Sequence, residues 1–169
     1  MINQYRKAAQ GLVLSAAALV GLVMHEGYTD KAVIPVKGDV PTMGFGTTSI
    51  HGSPVAMGDT ITPPQALVQA MTDIQRFEKN LKACVDVPLA QHEYDAFISF
   101  SYNVGESAFC KSTLVKRLNA GDYPGACSEL LRWRFVAGRD CKVRSNNCYG
   151  LYKRRLDEYL HCIGGHANG

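Results

Sequence analysis

Residues 8–24, Ala-Ala-Gln-Gly-Leu-Val-Leu-Ser-Ala-Ala-Ala-Leu-Val-Gly-Leu-Val-Met, carry no charged side chain, and the run stops at His25-Glu26-Gly27. A helix of this length spans about 26 Å, slightly less than the hydrocarbon thickness of a bilayer. Arg6 and Lys7 precede it with no acid before them, the pattern of an export signal. The run is rich in Ala, Gly and Ser, so it is only weakly apolar and leaves a membrane at modest cost. Three readings stand. It is a cleaved signal with small residues at Ser15–Ala18, a buried first helix, or a retained signal-anchor that is later released. With Arg6 and Lys7 held inside, the rest of the chain faces the outside.

Glu26 lies two residues beyond this run. A carboxyl beside an apolar helix end suits proton donation, because desolvation favours the neutral form. A carboxylate at a helix C-terminus also opposes the helix dipole, a cost that such a role accounts for. His25 is its neighbour, but adjacent helical residues do not face each other. The next stretch reads as a hairpin. Val33-Ile34-Pro35-Val36 and Val40-Pro41-Thr42-Met43 flank a turn at Lys37-Gly38-Asp39, and the prolines mark short edge strands. Asp39 and Thr42 offer a second carboxylate and a hydroxyl to hold a water. Acid, carboxylate and hydroxyl are the minimum kit for cleaving a glycosidic bond.

The chain of 169 residues suits one domain with a sizeable core, and 46% hydrophobic residues exclude disorder. Residues 132–155 hold eight cations against Asp140 alone, which suits an anionic polymer or surface such as nucleic acid, acidic phospholipid or cell wall. Six cysteines, Cys84, Cys110, Cys127, Cys141, Cys148 and Cys162, show no zinc-site spacing. They predict up to three disulfides and an oxidising compartment. Cys141 and Cys148 bracket a short polar loop and form the best single pair; the other four leave three connectivities open.

Residues 49–61 read as a loop. Thr62-Pro63-Pro64-Gln65 starts a helix that runs to about Lys82, with Leu67, Ala70, Met71, Ile74, Phe77 and Leu81 on one face. Residues 90–102 are helical, with Ala96, Phe97 and Phe100 inward. Helices follow at Ser112–Asn119, Pro124–Trp133 and Leu151–Ile163, with a charged loop at Gly138–Asn147 and a frayed tail to Gly169.

Glu26-Gly27, followed by Pro41-Thr42-Met43-Gly44-Phe45-Gly46, resembles the active-site segment of phage-type lysozymes, glycoside hydrolase family 24. Further matches lie at Ser99–Gly105, Ser112-Thr113-Leu114, Leu118–Asp122, Trp133 and Gly150–Arg155, so the resemblance covers about residues 20–162. It implies an α+β lysozyme-like fold: a small β-hairpin lobe and a larger helical lobe, joined by the long helix, with the cleft between them. Residues 1–24 form an N-terminal anchor or first helix, and residues 25–169 the catalytic domain.

The implied activity is hydrolysis of the β-1,4 bond between N-acetylmuramic acid and N-acetylglucosamine, with peptidoglycan and not nucleic acid as partner. The implied setting is host lysis by a monomer, without metal or cofactor. Glu26 is the general acid, and Thr42 matches the family threonine that helps hold water. The family pattern of Glu, eight residues, Asp, five residues, Thr fails here. Counting forward from Glu26 reaches Pro35, and counting back from Thr42 reaches Val36. Asp39 is the nearest substitute, Asp30 the weaker one, and neither remains a third option. Thr47 stands where many relatives have histidine. Tyr102, Asn103, Trp133 and Arg154 are the candidate substrate-binding residues, against core roles for the two aromatic rings.

The resemblance extends to signal-anchor-release endolysins. That places the chain in the host inner membrane through residues 8–24, and in the periplasm after release. While the run is in the bilayer, Glu26 cannot pack onto its domain. Residues 1–24 hold no cysteine, so the disulfide exchange used by some relatives does not operate here. A lytic transglycosylase, and a non-catalytic membrane-tethered wall-binding module, are the alternatives.

Overall fold

The computed structural model describes residues 5–35 and 38–165. Val36 and Lys37 of the expected hairpin, and Gly169 of the expected tail, lie outside the described residues. The chain forms two compact units. The larger holds residues up to Ala18 and from Phe77 onward; the smaller holds Leu19–Arg76.

In the larger unit the N-terminal segment is woven into the helices. Arg6 donates to Glu93 at 2.6 and 3.0 Å and lies 3.6 Å over the Tyr123 ring. Lys7 and Leu89 exchange two backbone hydrogen bonds of 2.8 Å. A 3₁₀ turn at Ala9–Gly11 buries Ala9, and Leu12 is buried after it. The Leu14 amide then donates to Glu78 at 2.6 Å and the Ser15 amide to Asp95 at 3.0 Å. The Ser15 hydroxyl accepts from the Ala18 amide at 3.1 Å, the bond of an N-cap. Helix α1, Ala16–Glu26, starts there.

The charge-free run is therefore a turn, an extended piece and an 11-residue helix. A continuous helix would keep the amides of Leu14 and Ser15 for itself; here two carboxylates take them. Among the described residues no helix is long and apolar enough to cross a membrane.

Both carboxylates are buried and well supplied with donors. Glu78 also accepts from the Tyr94 hydroxyl at 2.9 Å, and burial together with Glu78 pushes that phenol well above its ordinary range. Burial pushes Asp95 up, but hydrogen bonds from His161, Ser15 and Gln91 outweigh it and hold the carboxyl below its usual value.

The core of this unit is built on α3, Gln91–Val104, with Tyr94, Phe97, Ile98 and Phe100 fully buried. Ala96 is buried with them, as the periodicity predicts. Helix α4, Glu106–Lys111, was not expected; its Phe109 packs against Phe97 and Phe100. Helix α5, Thr113–Asn119, is capped by Ser112, and α6, Tyr123–Leu130, by Asp122. A two-stranded hairpin of Phe135–Val136 and Arg139–Asp140 interrupts the expected charged loop. Helix α7, Tyr149–Cys162, packs along α3.

Cys141 pairs with Cys148, as expected, and the remaining pairs are Cys84–Cys110 and Cys127–Cys162. Each of the latter joins elements distant in sequence, which restricts the unfolded chain and stabilises the fold by about 2–4 kcal/mol.

The smaller unit pairs β1, Thr29–Val33, with β2, Thr42–Gly44, antiparallel, with Thr29 opposite Gly44 and Val33 opposite Thr42. The strand therefore ends at Val33, where the expected Val33–Val36 span begins. Strands β3, Ser49–Ile50, and β4, Ser53–Pro54, form a second hairpin within the expected loop. Its turn residues His51 and Gly52 both have positive φ, the type I′ requirement, which glycine meets readily and histidine does not signal.

Helix α2, Pro63–Cys84, begins as its sequence predicts. The Gln65 side chain accepts from the Thr62 amide at 3.0 Å. Of its expected inner face, Ala70, Ile74, Phe77 and Leu81 are buried, but Leu67 is 44% and Met71 52% exposed. Ala66 takes the inner place, because small residues let the hairpin approach. Ala32, Met43, Val55, Ile61 and Ala66 form this unit's core, with Phe45 and Ile50 packed against it.

Candidate active site

Glu26 is the last residue of α1. Gly27 ends the helix with φ 70°, and its amide bonds back to the Val23 carbonyl at 3.1 Å, a glycine C-terminal stop. The Glu26 carboxyl is turned inward: its Oε1 is shielded from solvent. Its Oε2 lies against Gly46, where a Cβ would come within 3.4 Å.

The seat for that carboxyl is a closed turn. Met43 and Thr47 exchange backbone hydrogen bonds of 3.0 and 2.9 Å around Gly44-Phe45-Gly46. Gly44 and Gly46 have φ of 63° and 84°, a region that side chains resist. A Cβ on Gly44 would press on Ala66 at 3.1 Å, so the turn sits directly on α2. Thr47, 1% exposed, donates its hydroxyl to Asp73 Oδ2 at 2.9 Å, and Gln69 donates to Asp73 Oδ1 at 3.1 Å. On the other side the Tyr28 ring packs 5.6 Å from Phe45, and its hydroxyl donates to the Ile61 carbonyl at 2.7 Å. Thr47 thus matters through a buried contact, and its partner Asp73 is a residue that sequence reasoning missed. The available signal was the acid on the inner edge of an otherwise apolar α2 stripe.

Thr42 stands at the start of β2, and its hydroxyl donates to the Val33 carbonyl at 3.4 Å. That bond uses the hydroxyl proton and leaves the oxygen lone pairs as acceptors. Asp39 is exposed in the connection between β1 and β2, and its Oδ1 accepts from the Val40 amide at 2.9 Å. Asp30 lies on β1 and is exposed. Glu26, Asp39 and Thr42 all belong to the smaller unit. A cavity of about 660 Å³ in that unit, lined by Ser49, Ile61, Gln65, Gln69 and Asp73 among others, includes none of the three.

The four candidate substrate-binding residues belong to the larger unit. Tyr102 packs 5.0 Å from Phe77, and Trp133 stands edge-on to Phe100 at 5.2 Å. Trp133 also borders a cavity of about 340 Å³ with Thr113, Glu129, Arg132 and Phe135, so only part of its ring serves the core. Asn103 is exposed, and its Oδ1 accepts from Arg155 at 2.7 Å. Arg154 is buried: it donates to Glu158 at 3.3 Å and to the Ser99 carbonyl at 3.4 Å. Arg155 is fully buried between Glu158, at 3.1 Å, and the Phe100 ring, at 4.9 Å. The geometry gives this basic pair a bracing part between α3 and α7. Among the described residues no cluster of His, Cys, Asp or Glu has the form of a metal site.

A methyl group at Gly46 meets both a left-handed backbone and the Glu26 carboxyl. On the peptidoglycan substrate that the sequence resemblance implies, Gly46→Ala is expected to lower turnover by at least about tenfold, since a small misplacement of a reacting group costs that and more. Steady-state rates with a matched circular-dichroism melt check this; an unchanged rate in a folded variant contradicts the seat described for Glu26.

The chain matches the Phage lysozyme family model over residues 23–158. It is 39% identical to the SAR-endolysin of Pseudomonas phage phiKMV, across 93% of this chain and 92% of that protein. It is 37% identical to the endolysin of Salmonella phage P22, across 75% of this chain and 86% of that one. Among solved structures, an endolysin from Escherichia coli O157:H7 phage FAHEc1 superposes with a TM-score of 0.76 at 33% identity, covering 94% of this chain and 96% of that one. The fold is accordingly the mixed helical and small-sheet lysozyme fold, and the chain belongs to the phage lysozyme family.

Proposed function

We propose that this chain is an endolysin, a glycoside hydrolase that cleaves the β-1,4 bond between N-acetylmuramic acid and N-acetylglucosamine of peptidoglycan and so lyses the host cell. The observation that carries the reading is the Glu26 carboxyl, turned inward at the end of α1 and seated on the Gly44–Thr47 turn. In this reading Glu26 protonates the leaving glycosidic oxygen. Thr42, with lone pairs left as acceptors, holds the attacking water. Asp39 stands in for the aspartate absent at Pro35 and Val36. It assists the water or stabilises positive charge on the sugar. Tyr102, Asn103 and Trp133 contact the glycan, and Arg154 supports them from its buried ion pair with Glu158.

Product chemistry tests the reaction class. Purified sacculi digested with the enzyme are expected to yield muropeptides with reducing N-acetylmuramic acid ends, seen by mass spectrometry as addition of water. Anhydro ends would assign the chain to the transglycosylases instead.

The likeness to a protein named SAR-endolysin supports a further step: residues 8–24 act as a signal-anchor that carries the chain to the host inner membrane, and release frees a monomer into the periplasm. That state requires residues 12–15 to give up their bonds to Glu78, Asp95 and Gln91 and become helical. Val20 separates the two states, since it is 56% exposed in the folded chain yet lies within the apolar run. Val20→Asp is expected to leave the purified, oxidised enzyme active while abolishing export and lysis from within. Lysis at the wild-type rate by cells making Val20→Asp would contradict an anchor at residues 8–24.

A further inference from the structure

Apart from Phe135, which lines the cavity that Trp133 borders, the hairpin of Phe135–Val136 and Arg139–Asp140 has no part in the proposed chemistry. Large apolar side chains stand in water at its tip: Phe135 is 53% and Val136 49% exposed, with Val143 at 49% in the loop that follows. Side chains alternate along a strand, so Phe135 and Val136 point to opposite faces. Their shared surface is the tip, approached end-on. Around it Arg132, Arg139, Lys142 and Arg144 are exposed as well.

The one carboxylate in residues 131–148 is Asp140. Arg134 holds it in a fork of 2.9 and 3.2 Å, and that pairing keeps the carboxyl below its usual range. It is held mainly by Arg134 and also feels Lys142, while Arg132 pairs with Glu129 at 3.3 Å, so the outward excess is carried by Arg139, Lys142 and Arg144.

The tip is also held rigid. Val136 faces Arg139 across a two-residue turn in which Ala137 and Gly138 have φ of 47° and 77°. The Cys141 amide bonds to the Arg134 carbonyl at 2.9 Å, and Asn146 bonds to the Asp140 carbonyl at 2.8 Å. Cys141–Cys148 closes the neighbouring loop. A left-handed alanine is costly and persists only where its surroundings enforce it. A preorganised apolar tip ringed by cations loses little freedom on docking.

A soluble glycan or nucleic acid would use the cations but leave the apolar tip in water. A bilayer surface uses both: apolar side chains enter the headgroup boundary while arginine and lysine stay at the phosphates. We propose that this hairpin tip and the Cys141–Cys148 loop form an interfacial docking surface for a bilayer containing anionic phospholipid, distinct from residues 8–24. The released enzyme thereby stays at the membrane surface beside its substrate.

The test uses the full oxidised chain and vesicles of phosphatidylcholine, with or without phosphatidylglycerol. Sedimentation gives the partition coefficient. Trp133, the single tryptophan, lies two residues from Phe135 and reports proximity through quenching by brominated lipid. Wild type is expected to prefer the anionic vesicles, less so as salt rises, and to show quenching. Val136→Ser with Val143→Ser, and separately Arg139→Gln with Lys142→Gln, are each expected to lower partition on the order of tenfold, while melts and turnover on sacculi stay unchanged.

Equal binding to neutral and anionic vesicles overturns the proposal. So does wild-type partition by both double variants, which would place the binding in residues 8–24. Loss of sacculus binding with vesicle binding intact would make the tip a wall contact and overturn it equally.

Discussion

Two buried carboxylates decide where the first helix begins. Glu78 and Asp95 take the amides of Leu14 and Ser15, and one residue later α1 starts under a serine cap. A charged acceptor for a backbone amide in a buried setting is among the stronger hydrogen bonds, worth about 1.5–3 kcal/mol each. Removing the amides would also take one donor from each buried carboxylate, which adds to the cost. Tyr94, Gln91 and His161 share the load by facing the same pair. The weakly apolar run thus has a well-paid alternative to a continuous helix. The bookkeeping favours the folded form once the chain is in water, and the opposite choice needs a bilayer.

The same helix ends at Glu26, and the smaller unit supplies what receives it. A short, glycine-bearing turn closed by Met43 and Thr47 presents backbone and not side chain to the carboxyl. Glycine is favoured at Gly46 by its φ of 84°, and a Cβ there would touch the Glu26 carboxyl at 3.4 Å. Thr47 and Asp73 then tie the turn to α2. The Tyr28–Phe45 contact closes the opposite side. The proposed role of Glu26 as general acid asks for fixed geometry, which this seat supports.

Much of this was legible in the residues. Thr62-Pro63-Pro64-Gln65 announced α2, Ser112 announced α5, and the seven-residue spacing of Cys141 and Cys148 announced their disulfide. Glu26 stood out because a carboxylate at the end of an apolar run is out of place. Illegible features depended on contacts distant in sequence. The break at residues 12–15 comes from acids some 64 and 80 residues away. The β3–β4 hairpin turns on His51-Gly52, a weaker two-residue turn signal than Asn-Gly or Asp-Gly. Leu67 and Met71 looked like core because they sit one step from the true stripe of Ala66, Ala70 and Ile74, and only the approach of the hairpin favours the alanine. The Arg154–Glu158 pair lies within α7, but the bond from Arg154 to the Ser99 carbonyl reaches α3, 55 residues away, and α7 alone does not reveal it.

The central claim is that one carboxyl, Glu26, carries the proton. The most direct measurement is the rate of reducing-end release from purified sacculi by Glu26→Gln beside wild type, with both proteins matched for disulfides and melting. The account predicts a loss on the order of 10²–10⁴ in rate with a folded, sacculus-binding variant. A Glu26→Gln enzyme that turns over sacculi at near the wild-type rate would contradict it, and would move the acid to another residue.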